Sequence, residues 1–351
     1  MTLTDAPGAT VLAEEPSPPV SYRRRRVAGL VAAVVALIVL AVLSIMIGSK
    51  AIPLPVIWDA LFDPSPNADQ FAIRDLRVPR TIIGLAVGMA LGVCGALIQA
   101  LTRNPLADPG ILGVHAGSSF AVTVAVGLLG VSTMQGYMWF AFAGALVVTV
   151  MVLLLGATRR GQSPVLMVLA GVCISAVLGG ARDGLQLTNP AAFDQMRSWS
   201  AGSIVSRDLD IIWPVLPFFV TALFLAFIVS GALNAMALGD ELAATQGVRL
   251  VRTRILAVAA ITLLAGGATA IAGPIGFVGL MVPHVARWFT GPDQRWILAY
   301  SLLLAPSLLL ASDILGRIVM YPSELPIGIV TAFVGAPVLI ALVRRKKASG
   351  L

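Results

Sequence analysis

This chain predicts an all-α, polytopic membrane protein with about ten transmembrane helices, several of them broken or short, arranged as internal pseudo-symmetric halves. Three observations carry that reading. Of 351 residues, 58% are hydrophobic and only 12% are charged, against about 25% charged in soluble domains. Mean hydropathy is +0.93. Apolar runs of about the 20 residues that a span requires recur at 27–47, 78–100, 112–130, 137–156, 165–187, 211–235, 254–273, 275–290, 296–316 and 327–343.

Residues 1–22 are polar and proline-rich, with EEPSPPV at 14–20, and predict a disordered cytoplasmic tail. Arg23 to Arg26 then precede the first apolar run. That run is too long for a signal peptide and has no small-residue cleavage site before Pro53, so it is a retained span. With the N-terminus inside, ten spans return the C-terminus inside. The inner side then holds Arg23 to Arg26, Arg103, Arg159, Arg160, Arg249, Arg252, Arg254, Arg287, Arg295, Arg344, Arg345, Lys346 and Lys347. The outer side keeps Lys50, Arg74, Arg77, Arg80, Arg182, Arg197, Arg207 and Arg317. This excess of inner positive charge supports the orientation. Ile52 to Phe62 (IPLPVIWDALF) predicts a short interfacial helix outside, with Trp58 at headgroup level.

Inside, 236–254 (MALGDELAATQGVRLVRTR) predicts a compact helix. Gly239 and Asp240 open it, Asp240 and Glu241 sit at its positive end, and Gly247 closes it. Next, Gly266 to Ala286 (GGATAIAGPIGFVGLMVPHVA) is apolar yet broken by Gly266, Gly267, Gly273, Gly276, Gly279, Pro274 and Pro283. Membrane helices tolerate such breaks because neighbours re-satisfy the freed backbone groups and small residues allow close contact.

Several function classes fall away. Cys94 and Cys173 lie in apolar runs, and two histidines set far apart make no metal site. Nothing signals nucleic acid or a cofactor. A nucleotide-binding loop needs a lysine after a glycine-rich turn, and Lys50, Lys346 and Lys347 have no such context. No acidic residue falls at mid-span; Asp183 and Asp313 sit near outer span ends, so a proton relay lacks its usual carboxylate. These absences point to a transmembrane subunit powered by a separate ATPase, with an ATP-independent secondary carrier as the other class.

Four segments carry a resemblance: RVPRTIIGLAVGMALGVCGALIQALTRNPLADPGILGV at 77–114, the 236–248 loop, AGPIGFVGLMVPHVAR at 272–287, and DILGRIVMYPSELPIGIVTAFVGAPV at 313–338. Together they resemble the permease subunits of ABC importers for ferric siderophores, haem and cobalamin. The resemblance implies one transmembrane permease domain over 23–351 in a bacterial cytoplasmic membrane, with no ATP site or bond chemistry of its own. It implies a second permease copy or paralogue, two ATPase subunits inside, an extracytoplasmic substrate-binding protein and, as cargo, a ferric siderophore; haem or cobalamin remain alternatives.

Site residues follow from the same resemblance. Arg77, Arg80 and Arg317 match positions that pair with carboxylates of the binding protein. Asp240, Glu241, Ala243, Ala244 and Gly247 match the loop that couples to the ATPase. Asn104 and Leu106 match the inner gate. The gate's two hydroxyl positions fall on Pro164 and Val165, with Ser163 adjacent, a departure that weighs against cobalamin. Arg182, on a span that lines the pathway in this family, is a possible cargo contact. Gln99 and Thr102 are expected to bond between helices, and His284 and Arg287 to form a structural pair.

Overall fold

The computed structural model describes residues 22–48, 52–63, 67–158, 161–162, 164–205 and 207–344. Its helices are α1 (Tyr22–Met46), α2 (Leu54–Phe62), α3 (Ala68–Phe71), α4 (Val78–Thr102), α5 (Val114–Gly127), α6 (Met134–Leu155), α7 (Pro164–Thr188), α8 (Pro190–Ser200), α9 (Leu216–Ala237), α10 (Asp240–Thr245), α11 (Leu250–Ala272), α12 (Val278–Thr290), α13 (Gln294–Val319) and α14 (Ile327–Arg344). The described strand pairing is one two-residue ladder, Ala157–Thr158 with Gly161–Gln162. Of the expected 1–22 tail, only Tyr22 is described, and it opens α1.

Each expected span coincides with a helix. Seven helical stretches among the described residues are long and apolar enough to cross a membrane: α1, α3 to α4, α6, α7, α9, α11 and α13. The other three expected spans are the shorter α5, α12 and α14. At a rise of 1.5 Å per residue, the 13 residues of α12 cover only about 20 Å of a core about 30 Å thick.

The centre of the bundle is α4. Its glycines at 84, 88 and 92 form one row against α13. A Cβ at Gly88 would collide with the Pro306 backbone, and one at Gly95 would overlap the Gly279 carbonyl of α12. With no solvent to drive association, such backbone contact is what holds membrane helices together. Accordingly, 78% of the most apolar window is buried in α4 and in α11, against 11% in α1 and in α7.

The break between α11 and α12 runs through Gly273, at φ +75°, to Phe277, at φ +68°. A left-handed phenylalanine is costly, about 1–3 kcal/mol, and here tight packing on Gly335 of α14 holds it. α8 and the turn after it satisfy the buried carbonyl end of α11: Ser203 N donates to Ala272 O at 2.8 Å and Trp199 Nε1 to Ala270 O at 3.3 Å.

The connection between α4 and α5 is not a plain surface loop. The segment before α5 folds back into the bundle, burying Ala107, Pro109 and Leu112. It brings in Asp108, whose Oδ1 accepts from Gly110 N at 2.8 Å. A Cβ at Gly110 would lie 2.9 Å from that oxygen and 3.2 Å from the His115 ring, and His115 Nδ1 is 3.1 Å from Thr269 Oγ1 of α11. The bundle therefore contains a carboxylate that the span map assigned to a loop, beside the imidazole of the third expected span.

Candidate functional site

Two polar clusters mark opposite ends of the bundle. At one end Arg77, Arg80 and Arg317 come together, yet they are not free outward cations: each is at most 8% exposed. Their carboxylate partners belong to this same chain. Arg80 Nε and Nη2 grip Asp313 of α13, Nη2 to Oδ1 at 2.6 Å, while Nη1 donates to Glu324 Oε2 at 2.6 Å. Arg317 pairs with Asp313 one helical turn back.

The same arginines hold the end of α1. A helix leaves its last carbonyls without internal partners. Arg77 Nη1 donates to Ile45 O and Met46 O, both at 2.8 Å. Arg317 Nη1 donates to Ser44 O and Ile47 O, both at 2.6 Å. The other end of α1 is tied to α13, where Tyr300 Oη donates to Arg26 O at 2.7 Å. A helix with little buried surface is thus fastened at both ends by polar contacts. Sequence reasoning missed Asp313 and Glu324 as the partners. The i, i+4 spacing of Asp313 and Arg317 was a readable signal for one of them.

At the opposite end α10 forms as expected, with Gly239 at φ +118° before it and Gly247 at φ +81° after it. Asp240 bridges Arg103, at the end of α4, and Arg254 of α11. Burial raises the Asp240 carboxyl pKa, but the two guanidiniums outweigh that and hold it below the usual range. Ala243 is fully buried and faces its own chain. Glu241, Leu242, Ala244 and Thr245 are exposed. Ala244 borders an open apolar groove of about 610 Å³ that runs past Val248 and Val251 to Ile255.

Asn104 Oδ1 accepts from Leu106 N at 3.0 Å. Asn104 lines a cavity of about 460 Å³ with Ile98, Thr102, Ile111, Val165 and Val172, between α4, the refolded loop and α7. Leu106 is exposed, and Ser163 lies outside the described residues. Arg182 is not a lone cation: its Nε and Nη2 reach Asp183 Oδ1 at 2.9 and 2.7 Å on the exposed flank of α7.

Gln99 bonds between helices as expected, donating to Gly279 O and Leu280 O and accepting from Arg287 Nη1 at 2.6 Å. Thr102 instead bonds Ile98 O of its own helix. The expected pairing of His284 with Arg287 is replaced by this Gln99–Arg287 contact, because a guanidinium gains more from a carbonyl acceptor than from a second basic group.

The model of the FecCD transport family matches residues 36–345. The chain belongs to the FecCD transport family. This FecCD permease is 49% identical over 315 residues to the ferric enterobactin transport system permease protein FepD of Escherichia coli K12, covering 90% of this chain and 94% of that protein. It is 36% identical over 310 residues to the iron(3+)-hydroxamate import system permease protein FhuB of Bacillus subtilis, covering 88% and 80%. A metal-chelate type ABC transporter solved in an inward-facing conformation superposes with a TM-score of 0.80 at 26% identity, over 90% of this chain and 98% of that one. The chain is thus a multi-pass membrane permease of an ABC importer family.

Proposed function

We propose that this FecCD permease carries a ferric siderophore across a bacterial cytoplasmic membrane, both termini inside, as one of two permease subunits driven by two separate ATPase subunits and fed by an extracytoplasmic binding protein. The observation that carries the reading is the near-full-length 49% identity to a ferric enterobactin permease. The site geometry supports the roles. The arginine cluster is the docking face, with Glu324 on its solvent side and Arg80 buried behind it. Glu241, Ala244 and Gly247 present the ATPase-coupling surface, while Asp240 and Ala243 anchor it to the body. Asn104 and Leu106 stand at the inner gate, and Arg182 with Asp183 faces the pathway.

The test is uptake into proteoliposomes with ferric enterobactin as the probe. The reading expects ATP-dependent uptake by the assembled importer and none by this chain alone. Uptake by the chain alone would establish a secondary carrier. ATP-dependent uptake of haem or cobalamin but not of the siderophore would overturn the cargo assignment.

A further inference from the structure

The guanidinium of Arg80 is divided between two carboxylates of different character. The Asp313 side chain is 1% exposed, the Arg80 side chain 10% and the Glu324 side chain 30%. Asp313 is therefore the interior partner, fixed by two guanidiniums. Glu324 is the partner on the solvent side, held through a single Nη1. It rides on the connection between α13 and α14, whose backbone is fastened nearby by Leu325 N donating to Gly316 O at 3.2 Å.

Charge counting constrains what can happen here. Asp69 of α3 acts on Arg77, so among the described residues the three arginines face three carboxylates: Asp69, Asp313 and Glu324. An incoming carboxylate that simply joined this buried cluster would leave it with a net negative charge, which burial penalises. One that takes the place of Glu324 leaves the balance unchanged, and the displaced Glu324 returns to water. The cluster is also rich in donors: Arg317 Nε is buried without an acceptor among the described residues.

We infer that Glu324 is a built-in competitor for docking: it occupies on Arg80 the seat that a carboxylate of the extracytoplasmic binding protein takes, and docking releases the 320–326 connection that leads into α14. This rests on the docking role given to the arginine cluster above. It adds that docking is an exchange of carboxylates, and that the exchange reports to α14.

The experiment uses the assembled importer in nanodiscs and the binding protein encoded with it. Glu324→Gln removes the competing charge and is expected to tighten association about three- to tenfold, or ~0.7–1.4 kcal/mol, while Arg80→Gln weakens it. In the unmodified importer, docking is expected to speed hydrogen exchange at the Leu325 amide. Unchanged or weaker association of Glu324→Gln, with Arg80→Gln weakened, overturns the competitor and leaves the docking role standing. Unchanged association of Arg80→Gln overturns the docking role itself. Slower or unaltered exchange at Leu325 on docking, which needs no variant, overturns the release.

Discussion

At the scale of single residues, the Arg77, Arg80 and Arg317 cluster shows how one set of arginines serves two structural ends. Arg77 and Arg317 satisfy orphaned carbonyls of α1 while Arg80 and Arg317 neutralise a buried Asp313. Removing one partner of a buried ion pair costs about 3–5 kcal/mol, because the other charge stays behind in a medium that solvates it poorly. Arg317→Met is therefore expected to lower the unfolding midpoint of the detergent-solubilised protein markedly, and the double variant Asp313→Asn/Arg317→Met to recover part of the loss. Equal midpoints for Arg317→Met and the parent protein would show that Asp313 does not depend on Arg317. The positions of these arginines were legible in the sequence, since RVPR and DILGR place them beside span ends. Their partners were not, because the Arg80–Asp313 contact joins residues 233 positions apart, and only the packing of α4 on α13 brings them together.

At the scale of elements, α10 separates two alanines that the sequence presents as equivalent. Ala243 is enclosed and Ala244 is open, because consecutive helical residues point about 100° apart. A tryptophan at Ala243 would have to be forced into a filled space, which costs about 1–3 kcal/mol or more; at Ala244 it would project outward. Ala243→Trp is expected to reduce the yield of folded protein. Ala244→Trp is expected to insert and fold normally yet lose ATPase co-purification. Normal co-purification by a folded Ala244→Trp protein would make the loop a plain connector. Helix existence was legible here from Gly239, Asp240 and Gly247. The inward face was not, since a six-residue helix shows too little periodicity to reveal it.

On the scale of the whole molecule, α7 and α1 are equally the least covered of the long helices, and the α7 flank exposes Val177 and Leu187 together with the Arg182–Asp183 pair. A charged pair on an otherwise apolar membrane helix fits a water-lined or partner-covered face better than lipid. Because Asp183 offsets the charge of Arg182, the cargo contact proposed for Arg182 would be that of a polarised pair and not of a bare cation. Arg182→Gln is expected to slow uptake of ferric enterobactin per assembled complex severalfold, with ATPase assembly unaltered. An unchanged uptake ratio would make Arg182 scaffolding.

Composition and run length by themselves determined that this is an all-α membrane protein and where its helices lie. They could do so because the bilayer imposes one thickness and demands that backbone polar groups be satisfied within each span. The absence of a nucleotide loop was likewise a matter of local sequence. Only the tertiary structure decided which helices are central, that 104–113 folds inward with Asp108, and that Arg80 and Arg317 are paired with Asp313 and Glu324. Those outcomes depend on which distant side chains meet, and a charge written in a sequence does not say whether water, lipid or another charge will stand beside it.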